Sequence, residues 1–171
     1  MAVYLGGGAA GGVILPAINV DDTTIDRGTV VSYKTDTDRT YAISSSVFQD
    51  TIDRGQGYGV QPTILVPVVP WVTSTDDNPF GVTAKAAKSA EHLTIVSAGV
   101  ALVRTGGSVA AADPLKPSTG GIMVTAASTN TAYATALCTD FVPSDVLDYG
   151  TSTTEYCWAL CCFLKWPYTV P

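Results

Sequence analysis

The sequence predicts an all-β protein: a small antiparallel β-barrel or sandwich with an extended N-terminal arm and a C-terminal tail. Three observations predict it. The acidic residues divide into 13 Asp and two Glu, Glu91 and Glu155, and aspartate favours turns where glutamate favours helix interiors. Sixteen glycines and ten prolines punctuate the chain at short intervals. Between them lie brief apolar, partly β-branched runs of the length of strands.

The 171 residues suit one β domain, residues 21–164, flanked by an arm at 1–20 and a tail at 165–171. A chain of this size buries about two thirds of its unfolded surface. In the arm (MAVYLGGGAAGGVILPAINV) glycines give freedom, while Val3, Tyr4, Leu5, Val13, Ile14 and Leu15 supply apolar anchors. A phosphate-binding loop is excluded because no Lys-Ser/Thr follows the glycines. The expectation is an arm that orders on a neighbouring subunit.

Thr24-Ile25-Asp26-Arg27-Gly28 recurs as Thr51-Ile52-Asp53-Arg54-Gly55, which reads as the same exposed turn used twice. Residues 29–33 read as a strand, 35–40 as its polar turn and 41–48 as the return strand. Asp36 and Asp38 lack the glycine and terminal glutamate of an EF-hand loop. Residues 64–72 (ILVPVVPWV) contain Pro67 and Pro70, so they read as an edge strand or an extended cover. Residues 74–79 read as a loop. Residues 83–91 have the best helix composition but are too short to stand alone, giving a turn of helix or a polar hairpin loop.

Residues 92–127 organise the rest. They read as three short strands, with Gly99 handing one over to the next, and with connections at Gly106-Gly107-Ser108, Asp113-Pro114 and Ser118-Thr119-Gly120-Gly121. Residues 132–139 form a further strand and 142–154 a loop. Residues 156–164 (YCWALCCFL) are apolar at every position, the pattern of a strand covered on both faces, either by a second layer or by another subunit.

The order GVALV, GGSVAAADPLK, GGIMVTA and a closing strand at 158–163 resembles the capsid decoration (cement) proteins of tailed bacteriophages. The resemblance covers residues 81–164 and, less closely, 28–33. Ala112 stands where that family's turn has glycine. The resemblance implies a structural virion protein, made in the host cytoplasm and bound to the capsid exterior. It would stabilise the expanded head by bridging subunits of the major capsid protein, as a homo-oligomer with a trimer favoured. Candidate capsid or subunit contacts are Val3, Tyr4, Leu5, Val13, Ile14, Leu15, Trp158, Trp166 and Tyr168. The alternative is a tail or adhesin module that recognises a host glycan or receptor, for which exposed loop aromatics would be needed; Trp71, Trp158 and Trp166 sit instead in strand-like or tail contexts that favour burial.

Other classes fit poorly. A net charge of −6 with nine scattered Lys and Arg argues against nucleic acid and anionic membranes as partners. No apolar run approaches the ~20 residues of a membrane helix, and the start of the chain lacks the features of a signal peptide. Cys138, Cys157, Cys161 and Cys162 are expected to be reduced packing residues, and their spacing does not suit zinc. With His92 the sole histidine and no G-x-S-x-G elbow, neither an enzyme nor a cofactor or metal site is expected.

Overall fold

A computed structural model of the chain describes residues 12–33, 66–72, 79–142, 154–163 and 168–170. Its elements, among the described residues, are all strands: β1 (Val13–Asn19), β2 (Val30–Tyr33), β3 (Val66–Pro70), β4 (Pro79–Thr83), β5 (His92–Thr105), β6 (Pro114–Ser118), β7 (Ile122–Thr125), β8 (Thr131–Ala132), β9 (Ala134–Ala136), β10 (Glu155–Cys162) and β11 (Tyr168–Thr169).

β5 belongs to two closed rings. One runs β1-β3-β2-β4-β5 and returns to β1; the other runs β5-β10-β9-β6-β7 and returns to β5 through a parallel Thr105–Met123 pair. The fold is therefore a barrel, with no free edge around the first ring. Most pairings are antiparallel as expected, but β1 and β3 run parallel. Ile25, Val31, Val68, Leu93 and Ile95 fill one ring. Val103, Leu115, Met123, Cys157 and Phe163 fill the other.

Three strands do occupy the central stretch, but Gly99 does not separate two of them. It lies inside the 14-residue β5, opposite Cys161, at a φ of 107°. That conformation is open to glycine at little cost, and it lets one continuous strand serve both rings. Along one flank, β1 pairs with residues up to Ala98 and β10 pairs from Ala98 onward. The flank is shared because Asn19 donates to the Glu91 carbonyl and Phe163 to that of Ser97, and carbonyls of the same parity point the same way. The opposite flank takes Ala84 and Gly28, bonded to Thr94 and Arg104.

This arrangement corrects the arm. Val13, Ile14 and Leu15 are the first residues of a barrel strand, in register with Ala98, Val96 and Ile95. Leu15 packs on the first core and Ala17 is fully buried within it. Asn19 is buried too, its Nδ2 donating to the carbonyls of Thr23 and Ala87 at 2.8 and 3.0 Å. What remains of the arm, residues 1–11, lies outside the described residues.

β3 is not an edge strand, since it pairs with both β1 and β2. Its prolines are tolerated by their parity. Val20 donates to Val68, and Trp71 donates to Val30, so Val68 and Pro70 face β1 while Pro67 and Val69 face β2. The missing donor of Pro70 falls past Asn19, where β1 has ended, and the position opposite Pro67 on the β2 side lies outside the described residues.

The 24–28 turn is more buried than its composition suggests: Ile25 is 1% exposed and bridges Ala87 in the loop between β4 and β5. That loop holds no helical turn. Its repeat at 51–55, like the strand and aspartates proposed at 35–48, lies outside the described residues. The C-terminal tail is held at its end, where β11 pairs with β8.

Between Val109 and Pro114, Asp113 organises the turn. Its Oδ2 accepts from the Ala110 amide at 2.9 Å and from Thr125 Oγ1 at 3.3 Å. Ala112, the residue standing in place of a glycine, is held at φ 71°. A left-handed alanine costs roughly 1–2 kcal/mol, and the entropy of a glycine returns roughly 0.5–1 kcal/mol of that. Ala112→Gly is therefore expected to stabilise the protein by about 0.5–1 kcal/mol in chemical denaturation, where the same change in an ordinary strand would destabilise.

Cys157 and Cys161 are buried core residues, Cys138 and Cys162 are half-buried, and all four are free. Burial pushes both the Cys157 and Cys161 thiols up from 9.0 to about 12. The unfolded chain loses these protons first, so their contribution is intact below pH 9 and is lost as pH rises toward 12. Between pH 9 and 11, the melting temperature of a Cys157→Ala, Cys161→Ala double variant is expected to fall less steeply than that of the parent.

Candidate functional site

The alternation of β10 divides its side chains. Cys157, Ala159 and Cys161 point into the core, with exposures of 0, 0 and 2%, as does Phe163 just beyond. The opposite set is not covered. Trp158 is 42% exposed and Leu160 50%, so the expectation of a strand buried on both faces fails within the subunit. Tyr156 alone on that side is sealed, its ring lying under the Gly28 backbone.

The neighbours extend this apolar surface across three strands. Val100 of β5 stands directly opposite Leu160 and is 39% exposed. Leu137, 49% exposed, follows β9 and donates its amide to the Trp158 carbonyl at 2.7 Å. Beyond it Phe141 and Tyr156 exchange both backbone hydrogen bonds, at 2.8 and 2.9 Å. Large side chains exposed singly are ordinary on a protein surface, whereas several on adjacent strands make a patch fit for a partner.

One margin of the patch dips into a cleft of about 130 Å³ lined by Arg27, Thr83, Ala84, Val96, Leu102 and Trp158. Cavities of about 150 Å³ hold a benzene ring, so the cleft suits one ring-sized group with Arg27 at its side. Nearby, Arg104 Nη1 pairs with Asp26 Oδ2 at 3.3 Å and with Thr29 Oγ1 at 3.3 Å. This half-exposed ion pair fixes the 24–28 turn against β5 and contributes little more than orientation.

The sequence-derived contacts therefore disperse. Trp158 stands at the centre of the patch, contrary to the burial expected of it. Ile14 is 40% exposed on the outside of β1, while Val13 and Leu15 are half-buried. Tyr168 pairs through its backbone with Ala132. Val3, Tyr4, Leu5 and Trp166 lie outside the described residues. Sequence reading missed Val100, Leu137 and Leu160. The signal was present in the unbroken apolar run of β10, which requires that whatever its outward face meets be apolar too.

His92 is exposed at the start of β5. Among the described residues, no three His, Cys, Asp or Glu converge as a metal site.

No protein-family model matches the chain, and no curated protein matches it in sequence. Among solved structures it is similar to the N-terminal base of the head fiber protein gp8.5 of bacteriophage phi29, with a TM-score of 0.51 at 11% identity. The match covers 92% of this chain and 99% of that one. At that identity the likeness is one of fold.

Proposed function

We propose that the chain is a structural component of a bacteriophage head. In this reading it binds the outer surface of the assembled shell as a homo-oligomer, a trimer being favoured, and bridges subunits of the major capsid protein. The observation that carries the reading is the extent of the fold match: nearly the whole of a head fiber base is spanned by this chain. The resemblance of residues 81–164 to capsid decoration proteins points the same way. The docking element would be the apolar patch of Val100, Leu137, Trp158 and Leu160, presented on a rigid double barrel.

Mass action supplies the mechanism. A protein that binds the mature lattice and not its separated subunits stabilises the lattice by RT ln(1 + [L]/Kd), about 2.7 kcal/mol at a hundredfold excess over Kd. Linking several copies adds weak contacts through effective concentration. An acidic exterior keeps the free protein soluble and away from DNA.

The test is co-sedimentation of the purified chain with heads assembled without it. Saturable binding, in fixed ratio to the major capsid protein, is expected; failure to sediment with intact heads contradicts the reading. Recognition of a host glycan is the second reading, and the exposure of Trp158 beside a ring-sized cleft favours it. A glycan array separates the two, since shell binding requires no sugar.

A further inference from the structure

Cys138 and Cys157 meet where the sheet of the second ring is interrupted. The β9–β10 ladder sets Leu160 opposite Thr135 and Ala159 opposite Ala136. One step on, Leu137 donates its amide to the Trp158 carbonyl at 2.7 Å. The next backbone-bonded pair is Phe141 with Tyr156. Between these rungs Cys138, Thr139 and Asp140 face Cys157 alone, so the segment bulges.

The register brings the two cysteines together. Cys162 donates to the Tyr133 carbonyl and Leu137 to that of Trp158, so the even positions of β10 are the hydrogen-bonded ones on this flank. Cys157 therefore stands at a non-hydrogen-bonded position, with Cys138 the first residue opposite. Residues so placed have Cα atoms about 4.5 Å apart, within the roughly 4.4–6.8 Å that a disulfide spans.

Two contacts agree with the register. The Trp158 amide donates to Cys138 Sγ at 3.4 Å, and that amide belongs to the peptide unit that begins at Cys157. Cys138 also packs on the core cluster that contains Cys157. Burial first, and the neighbouring Cys138 second, push the Cys157 thiol up. The other two cysteines do not compete. Cys161 lies ~13 Å along the strand from Cys157, opposite Ala134, and Cys162 donates its thiol to the Tyr133 carbonyl at 3.3 Å.

We propose that Cys138 and Cys157 are a redox pair, which closes to a cross-strand disulfide when the chain meets a small-molecule disulfide of the glutathione class. All four cysteines are free in the structure, so it describes the reduced state. Cys138, half-buried, reacts first: its thiolate attacks one sulfur of the small disulfide, forms a mixed disulfide and expels one thiolate. The Cys157 thiolate then attacks the Cys138 sulfur and expels the second. The protein loses two electrons and two protons, which leave on the two small thiols. Cys157 is sealed, so the second step waits on a local opening. The bond staples the interrupted rung and encloses residues 139–156, which restricts the unfolded chain. Leu137 precedes one cysteine and Trp158 follows the other, so the same bond fixes two residues of the apolar patch. None of this rests on the phage-head reading.

The experiment incubates the full chain, free of heads, with excess oxidised glutathione at about pH 8, where thiols begin to ionise. Products are digested before aspartate without reduction, which separates Cys138 from Cys157 at Asp140, and the joined peptides are fragmented to locate the bond. A Cys138–Cys157 bond within one chain is expected, with two thiols left free on unfolding and a melting temperature raised by at least about 4 °C. Cys138→Ala should abolish both the bond and the shift, and Cys161→Ala should abolish neither. A bond to Cys161 or Cys162, a bond between copies, glutathione retained on Cys138 without closure, or four thiols still free overturns the proposal. Heads take no part, so failure of the redox pair and failure of the head-binding reading are separately visible.

Discussion

Deletion of residues 2–19 is expected to unfold the protein. The deletion removes β1, which pairs with β3 on one side and β5 on the other. It takes away the buried side chains of Ala17, Ile18 and Asn19. It also removes the Asn19 amide that donates to the Thr23 and Ala87 carbonyls, and opens a closed ring to leave two unpaired strand edges. Each unpaired buried polar group costs about 1–3 kcal/mol. Together with the lost packing, the sum reaches the 5–15 kcal/mol total stability of an ordinary domain. Circular dichroism on heating checks this: the 2–19 deletion should show no cooperative transition. If it melts as the full chain does, β1 is not part of the barrel and residues 1–20 are an arm after all.

The second large effect concerns binding. Leu160→Glu and Trp158→Glu each place a carboxylate in the middle of the apolar patch. Burying that charge against a partner without a cation is costly enough that affinity for heads should fall at least a hundredfold, about 2.7 kcal/mol. Folding should be nearly untouched, because the two side chains are 50% and 42% exposed, and surface substitutions away from special features change stability by about 0.5 kcal/mol or less. Titrating heads with each variant reads the first effect and melting temperature the second. A variant that melts normally and binds normally removes this face from the interface.

The sequence made the two faces of β10 separable, but not which of them the subunit covers. Cys157, Ala159, Cys161 and Phe163 were separable from their alternates by period alone, and all four are buried. The outward residues were as apolar, and periodicity cannot distinguish a face covered within the subunit from one that waits for something else. Pairings distant in sequence were hidden for a related reason. β1 and β5 meet across nearly eighty residues, while the local glycines around Val13 argued for freedom. Pro67 and Pro70 signalled an edge, and for Pro70 only the end of β1 explains why a strand paired on both sides accepts it. Turn chemistry fared better. Gly120 and Gly121 both adopt positive φ, and the Gly121 carbonyl accepts from Val30 at 2.7 Å. The position expected to need glycine, Ala112, does take the left-handed conformation that glycine would hold at less cost.

On the function proposed above, this double barrel sits on the outside of a phage head. Electron cryo-microscopy of virions carrying the chain tests it most directly. The account predicts density for two rings sharing one long strand on the outer surface of the shell, with the Trp158 face turned toward a capsid or sister subunit. Density confined to the tail or the head interior, or intact virions from which the chain is absent, would contradict it.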